Sequence, residues 1–480
     1  MSIFYTLFLK RRIMFGIGVR NMNKNTRYEM DMTSGNFFLK IFAFSIPLML
    51  TGILQLFYNA ADLIIVSNFS DEPDAIGAVG STSALTNLLI NLFMGLSIGT
   101  SVLVARYFAS KDEKKVSNCV HTAILISFSC GIVLGLVGFI FARQFLILMD
   151  NPIELAVTYL KIYFIGMPFN MLYNFAASIL RGVGDTKRPL IFLAISGLIN
   201  VILNMFFVIV FKMDVDGVAL ATIISQFVSC VLIMNCLIKT KQMYRFNFKE
   251  LRISKDELLE MIRIGLPAGI QGSIFSISNV IIQSTVNKFG AVAINGNAAA
   301  QSIEGFVYVG LNAVSNAALS FMGQNMGVKK YENIKKIAFY CLLNVVLISV
   351  VLGVLFFSCG KLLARFYTQV PTEIDVAYIR LHYLCLPYFL CGIMDVMVGL
   401  LRGMGHSIKP MIVSIVGVCG FRILWIYTVF AQIADYSNIN SLHYLYVSYP
   451  ISWIITFSVH FGIFLFIYNK IKKQMTLKSV

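Results

Sequence analysis

The chain has 480 residues, of which 58% are hydrophobic and 13% are charged. Soluble globular proteins contain roughly 25% charged residues, so this composition excludes a soluble globular domain and indicates an integral membrane protein. A formal net charge of +16 would suit nucleic acid, but the basic residues lie in loops between apolar runs, which excludes that partner and favours the lipid bilayer.

The first forty residues precede any apolar run long enough to cross a membrane. Residues 10–12 (Lys-Arg-Arg) separate two short apolar runs, and no small-residue cleavage site typical of signal peptides follows them. We therefore expect residues 1–40 to be a cytoplasmic N-terminal segment without a signal peptide. Met22, Met30 and Met32 all precede the first predicted span, so a later translation start is an open alternative.

Twelve apolar runs follow, each long enough to cross the ~30 Å hydrocarbon core as an α-helix of about 20 residues. The sequence therefore predicts an all-α integral membrane protein. We expect an N-terminal six-helix lobe at 41–238, a cytoplasmic linker at 239–260, a C-terminal six-helix lobe at 261–469 and a cytoplasmic tail at 470–480. The predicted spans are residues 41–68, 79–105, 118–142, 156–179, 189–211, 217–238, 262–287, 297–321, 337–359, 378–400, 411–433 and 445–468.

The two predicted lobes carry the same landmarks. Residues 180–189 (LRGVGDTKRP) return as residues 401–410 (LRGMGHSIKP), and Pro47 returns at nearly the same offset as Pro267. Because each repeat has an even number of spans, both repeats enter the bilayer from the same side and face each other across a cleft. We interpret the duplicated Arg-Gly-x-Gly segment as a turn, in which glycine permits positive φ and arginine bonds carbonyls at the helix end.

Charge alternates between successive predicted loops. The loops around residues 71–74, 214–216 and 373–375 are neutral or acidic. The loops between them are basic, which is typical of the cytoplasmic side and predicts that both termini are cytoplasmic. The basic loop residues are Lys111, Lys114, Lys115, Arg181, Lys187, Arg188, Lys239, Lys241, Arg245, Lys249, Lys329, Lys330, Lys335, Lys336, Arg402, Lys409, Lys470, Lys472 and Lys473.

Asp62 is the acidic residue within the predicted spans of the first lobe. A charge at the bilayer centre costs at least ~2.5–3.5 kcal/mol, so Asp62 is a candidate functional residue. Pro47 lies about four turns earlier in the same span, where it removes a backbone hydrogen bond and favours a hinge. No basic residue lies in the middle of the other five spans of this lobe, so Asp62 has no evident neutralising partner. A structural role is the alternative.

Oxygen-bearing side chains on nearby spans are candidate partners of Asp62. Tyr58 precedes it by one turn, Asn200 and Asn204 share a face of the fifth span, and Thr222 lies in the sixth. A carboxylate with amide and hydroxyl oxygens suits a hard cation such as sodium. It equally suits a buried carboxyl that carries a proton. Asparagine as an interhelical contact is the structural alternative.

The second lobe has its own charged residues within predicted spans. Glu304 lies in the eighth span without an evident partner in its lobe. Asp395 in the tenth span and Arg422 in the eleventh are candidates for a buried ion pair that holds two helices. Alternatively, either acid attracts a cationic substrate or shuttles a proton, which makes these three residues a candidate substrate or proton site.

Enzymatic signatures are not found in the sequence. It contains no Walker A motif, H-E-x-x-H motif or nucleophile elbow, and its nine cysteines include no C-x-x-C pair. We therefore expect a protein that is not an enzyme, has no ATP-driven pump in this chain and needs neither a cofactor nor a metal beyond a coupling ion.

The duplicated turn, the segment 58–62, the Asn200-x-x-x-Asn204 pair and residues 422–427 (RILWIY) together resemble the multidrug and toxic compound extrusion (MATE) family over essentially residues 32–473. The resemblance implies two six-helix lobes around a V-shaped cleft and export driven by a cation gradient. It also implies that Asp62 is the essential acid of the first helix, with Tyr58 its neighbour, Pro47 the bending proline, and Asn200 and Thr222 further polar residues of the site.

The sequence departs from some relatives at three positions. Asn204 replaces an aspartate, so a two-carboxylate site is absent. Phe275 stands near the position of an acid that some members carry in the seventh helix, and Asp395 lies about one turn from an acid of the tenth. A second-lobe cation site of that type is therefore not expected.

The combined prediction is a sodium- or proton-coupled antiporter of the cell membrane, monomeric, that exports amphiphilic and often cationic organic compounds. The alternative is a flippase for lipid-linked precursors. Such a flippase would place a cluster of basic residues in its cleft to hold a diphosphate, whereas Arg422 is nearly alone in the spans of this sequence.

Overall fold

A computed structural model describes residues 28–69, 75–148 and 154–478. These residues form helices and loops, with no strand among them. The expected basic run at residues 10–12 and the acidic loop at 71–74 lie outside the described ranges.

The first lobe contains six membrane helices, which we number α1 to α6. Helix α4 has two parts that meet at an angle of 49°. The bounds are Phe37–Phe69 (α1), Ala75–Ala109 (α2), Glu113–Leu148 (α3), Glu154–Ile165 and Met167–Gly182 (α4), Lys187–Val210 (α5) and Val215–Lys239 (α6).

The second lobe repeats this arrangement as α7 to α12. Helix α10 again has two parts, which meet at 47°. The bounds are Lys255–Asn287 (α7), Ala291–Gly327 (α8), Asn333–Ser358 (α9), Pro371–Cys385 and Tyr388–Gly403 (α10), Ile408–Ile433 (α11) and Ser448–Lys478 (α12). With each bent pair counted as one span, the described chain has the twelve membrane helices predicted from the sequence.

The bends in α4 and α10 occur at equivalent places. Pro168 follows the break at Gly166, and Pro387 immediately precedes the second part of α10. Proline lacks a backbone N–H and its ring clashes with the preceding turn, so a helix bends or breaks there. The sequence predicted two continuous spans here, and the structure shows that the duplicated prolines divide both.

The duplicated Arg-Gly-x-Gly segment forms the same turn in both lobes. Gly184 and Gly405 have φ of +95° and +89°, the region that glycine adopts without steric cost. Each turn is closed by a hydrogen bond that spans five residues, such as Asp185 N–H to the Leu180 carbonyl at 2.8 Å. The predicted role of the glycines is confirmed.

We expected the arginines of these turns to bond carbonyls at the helix ends. The structure shows other partners for both. Arg181 donates to Ser178 Oγ at 2.6 Å, and Arg402 donates to Gln271 Oε1 at 2.9 Å. Both guanidinium groups therefore bond side chains, and that of Arg402 joins α10 to α7.

The two lobes touch most closely where α2 crosses α7. Gly95 and Gly99 on α2 face Gly265 and Gly269 on α7, and a Cβ added at Gly269 would overlap the backbone of Leu92. Glycines spaced by four residues let two helix backbones approach directly. This crossing lies toward one face of the molecule, which carries loops 110–112, 183–186, 240–254, 328–332 and 404–407 and which we call the basic face.

We expect Gly269→Ala to destabilise the protein by about 1–3 kcal/mol, because the new methyl group forces the two lobes apart. Thermal unfolding in detergent measures the effect. Gly462→Ala on α12 is the matched control, since a Cβ there has nothing within 4 Å and alanine favours helix. Equal stability of the two variants would show that the α2–α7 crossing is not close-packed.

Residues 28–36 form a strap across the basic face, where the sequence predicted only an unassigned segment. On the second lobe, Asn325 donates to the Met32 carbonyl at 2.8 Å and Asn333 donates to the Thr33 carbonyl at 3.1 Å. The Met32 N–H donates to Gln324 Oε1 at 3.3 Å. These side chains satisfy strap backbone groups that form no helix hydrogen bonds.

The same strap also contacts the first lobe. The hydroxyl of Tyr244 donates to Glu29 at 2.9 Å, and the Met30 backbone packs against Gly184. Arg188 pairs with Asp185 beside this contact. Burial raises the pKa of the Glu29 carboxyl, against the opposing effects of the Tyr244 hydrogen bond and the Arg188 charge. The strap thus joins both lobes at the basic face.

The linker and tail are more ordered than a solvated connector would be. Tyr244 and Phe246 are buried against the first lobe. Between α6 and α7 the described chain forms one helical turn, Phe248–Glu250. Helix α12 continues to Lys478, through most of the predicted tail.

Candidate functional site

The first lobe encloses a cavity of about 370 Å³ between α1, α2, α4, α5 and α6. Asp62 lies in its wall with only 8% of its surface exposed. No lysine or arginine is among the described residues that line the cavity. Hydroxyl and amide groups account for much of the remaining polar lining, including those of Tyr159, Tyr163 and Asn170. The cavity is therefore polar, and Asp62 carries its negative charge.

Three of the predicted residues gather around Asp62. Asn204 Nδ2 donates to Asp62 Oδ1 at 2.5 Å, and Thr222 Oγ1 lies 3.5 Å from Asp62 Oδ2. Asn200 completes the cluster, because its Oδ1 lies 3.3 Å from Asn204 Nδ2 and its Nδ2 lies 3.4 Å from Thr222 Oγ1. The helical spacing of four residues places both asparagines on one face of α5, opposite α1 and α6.

Tyr58 lines the same cavity, but its hydroxyl is directed elsewhere. It donates a hydrogen bond to the Leu193 carbonyl of α5, and its ring packs on Gly197, where a Cβ would overlap the ring. In this structure Tyr58 therefore ties α1 to α5 one turn before Asp62. Pro47 lies buried in α1, which continues as a helix through it.

Two buried acceptor oxygens near Asp62 have no hydrogen-bond partner in the described part of the chain. They are Asn204 Oδ1 and Gln226 Oε1, and Gln226 lines the cavity. Unpaired buried oxygens are costly unless a ligand satisfies them. Carboxylate and amide oxygens are ligand types that a hard cation prefers. Within residues 28–69, 75–148 and 154–478, no group of three or more His, Cys, Asp and Glu could hold a metal.

Asn91 on α2 is a residue that sequence reasoning missed. It lines both the first-lobe cavity and a second cavity in the other lobe, and its Nδ2 lies 3.3 Å from Ser276 Oγ on α7. Asn91 was visible in the sequence as a polar residue of an apolar span, one helical turn after Asn87, but nothing there indicated that it faces the other lobe. The Asn91–Ser276 contact stands between the two cavities.

The second-lobe cavity has a volume of about 600 Å³. Glu304, Asp395 and Arg422, the three residues predicted as a second site, all line it. Phe275 lines it too. The three charged residues are thus brought to one space.

Their pairing differs from the sequence expectation. Glu304 was expected to lack a partner, but Arg380 of α10 binds it through two hydrogen bonds, of 2.5 and 3.1 Å. Arg380 also donates to Asn297 at 2.7 Å and is 4% exposed. Arg380 lies near the end of a predicted span, where a long basic side chain ordinarily reaches the membrane surface, so its position in the sequence gave no sign of a buried ion pair.

The expected ion pair between Asp395 and Arg422 is not formed. The Asp395 carboxyl interacts with Tyr308 and with the charge of Arg402. Arg422 instead donates from Nε to Ser452 Oγ at 3.0 Å. The side chains of α12 therefore take the place that the sequence assigned to Asp395.

Comparisons with known proteins agree with this architecture. The MatE family model matches residues 47–206 and 267–428, once in each lobe. The probable multidrug resistance protein YoeA of Bacillus subtilis is 27% identical over 90% of this chain and 94% of its own length. The probable multidrug resistance protein NorM of Thermotoga maritima is 24% identical over 79% of this chain and 82% of its own length.

The fold is also that of solved transporters. A MOP superfamily transporter from Pyrococcus furiosus superimposes with a TM-score of 0.85 at 21% identity, over 94% of this chain and 100% of that chain. The two family matches together span more than half of the chain and fall on the two halves of the duplicated fold. The protein is therefore a multi-pass membrane transporter of the MATE family.

Proposed function

We propose that the protein is a cation-coupled antiporter that exports amphiphilic organic compounds across the cell membrane, with sodium or a proton bound at Asp62. The observation that supports this most is the buried Asp62 carboxylate, which is bonded by the neutral donors of Asn204 and Thr222 and faces a cavity with no lysine or arginine among its described lining residues. The relatives named as multidrug resistance proteins support export of drug-like compounds.

The coupling proposed here acts through α1. Asp62 and Tyr58 both bind α5, whereas Pro47 removes one backbone hydrogen bond about four turns away. Charge compensation at Asp62 changes how strongly α1 is held against α5 and α6, and Pro47 is where α1 bends in response. The first-lobe cavity then closes against the exported compound. The protein exchanges the cation for the exported compound because each binds more tightly to a different conformation of the transporter.

The substrate class follows from the lining of the first-lobe cavity. Asp62 supplies a negative charge, and the rings of Tyr159, Tyr163 and Tyr173 supply aromatic surface. A cation over an aromatic face is attracted by the ring quadrupole. This cavity therefore suits amphiphilic cations, and we propose a monomer with both termini in the cytoplasm and the basic face directed inward.

The test is efflux from liposomes that contain the purified protein. A fluorescent lipophilic cation is loaded, and efflux is followed under an imposed sodium gradient and, separately, under a proton gradient. Efflux under one gradient that stops when an ionophore collapses it identifies antiport and the ion. Efflux that does not depend on either gradient, together with transbilayer movement of a labelled lipid-linked diphosphate, would favour the flippase alternative instead.

A further inference from the structure

Of the residues that the structure describes, two acids and two arginines line the second-lobe cavity, namely Glu304, Asp395, Arg380 and Arg422. Glu304 and Arg380 form a bidentate pair. Arg422 is the second arginine. In the described part of the chain it forms no ion pair with a carboxylate. The second-lobe cavity thus presents an arginine without a paired carboxylate, whereas no lysine or arginine is among the described residues that line the first-lobe cavity.

The surroundings of Arg422 fix its orientation. Its Nε donates to Ser452 Oγ at 3.0 Å, and its guanidinium carbon lies 3.9 Å from the ring centroid of Tyr449 and 5.7 Å from that of Trp453. The residue is 6% exposed, and that exposure is toward the cavity that it lines. A buried cation without a counter-charge is costly. The guanidinium edge is a rigid fork that matches the oxygens of an anion.

We propose that the second-lobe cavity binds the anionic group of an amphiphile on the Arg422 guanidinium. The group is a carboxylate, a sulfonate or a single phosphate, and the apolar body of the ligand lies against Tyr449, Trp453 and Phe275. A volume of about 600 Å³ is that of a drug-sized site. One uncompensated arginine balances one negative charge, which disfavours a diphosphate.

This inference deepens the proposed export function and rests on it for its role in transport. Binding itself needs no ion gradient. If binding is found without gradient-driven export, only the proposed function fails; if export is found without anion binding, only this inference fails.

A tryptophan in the wall of the second-lobe cavity can report ligand binding by its fluorescence. Trp453 is one of two tryptophans in the chain, and the other is Trp425. In a Trp425→Phe background, energy transfer from Trp453 to a dansyl group measures occupancy of the cavity. We expect saturable transfer to dansylglycine, which is a carboxylate, in nanodiscs of phosphatidylcholine. Dansylcadaverine carries an ammonium group on the same fluorophore and suits the neighbouring first-lobe cavity, so we expect transfer to it to be independent of Arg422.

The decisive variants change only the cation. We expect Arg422→Gln to weaken dansylglycine binding by about tenfold or more, and Arg422→Lys to restore part of it. Arg365→Gln, at an exposed arginine, is the matched control and leaves binding unchanged. The proposal is overturned if Arg422→Gln, with an unfolding temperature like that of the parent, binds dansylglycine equally well. It is also overturned if Arg422→Gln weakens dansylcadaverine binding as much as dansylglycine binding.

The lipid composition of the nanodiscs distinguishes two sources of the anion, a membrane lipid and a free amphiphile. If phosphatidylglycerol in the nanodiscs competes with dansylglycine, and does so only when Arg422 is present, the natural ligand is a lipid phosphate. If phosphatidylglycerol does not compete while dansylglycine binds, the ligand is a free anionic amphiphile. Both results support an anion site at Arg422.

Discussion

Asp62→Asn is expected to reduce gradient-driven efflux to the level of protein-free liposomes while the protein remains folded. Asparagine has nearly the shape of aspartate and can still accept the hydrogen bond from Asn204, which is 2.5 Å in the native protein. It cannot ionise, so it neither carries a proton nor balances a sodium ion. The measurement is efflux of the lipophilic cation under each gradient, beside the native protein.

The matched control is Asp375→Asn, at an exposed carboxylate that pairs with Lys361 on the surface. It should export at the native rate. A second readout separates the two ions: if sodium binds at Asp62, it raises the unfolding temperature of the native protein, since a ligand at 100 times its Kd stabilises by about 2.7 kcal/mol. Asp62→Asn removes that rise. Undiminished efflux by Asp62→Asn would eliminate the proposed coupling site.

Glu304→Gln is expected to cost about 3–5 kcal/mol of stability, the largest loss that we predict for a single substitution. It leaves the Arg380 guanidinium, 4% exposed, without its carboxylate partner in a low-dielectric interior. Thermal unfolding in detergent, followed by circular dichroism, measures the change.

A double variant tests the physical reason for that loss. Glu304→Gln combined with Arg380→Met removes both charges, and it should recover most of the lost stability because no uncompensated charge remains. Lys361→Met is the control, since its pair with Asp375 is 56% and 66% exposed and such surface pairs contribute about 0–1 kcal/mol. If Glu304→Gln is as stable as this control, the Glu304–Arg380 pair does not contribute to the stability of the protein.

The first-lobe cluster could be predicted from the sequence because its signals are strong. A carboxylate within an apolar span is conspicuous, and the helix period alone places Asn200 and Asn204 on one face. The direction of the Tyr58 hydroxyl was not predictable, because it depends on the close approach of α1 to Gly197. The contact between α1 and α5 is a tertiary contact, and neither helix carries a sequence pattern that indicates it.

The second lobe was predicted less well for a related reason. Its charged residues are visible, but which acid meets which arginine depends on helix rotation and on the bend before Pro387. A proline in an apolar run indicates a bend without giving its angle. The strap was not predicted at all, since its contacts use backbone groups and it has no apolar period.

The strap makes the two ends of the transporter energetically unequal. Gln324, Asn325 and Asn333 hold it by three hydrogen bonds, and a fourth joins Gln324 to the Gly182 carbonyl across the lobes. Parting the lobes at the basic face breaks the bond to Gly182 and the strap's bond between Tyr244 and Glu29, which at ~0.5–1.5 kcal/mol each costs roughly 1–3 kcal/mol. The strap, a segment outside both lobes, therefore adds to the free energy needed to open the basic face and shifts the conformational equilibrium on which any driving gradient acts.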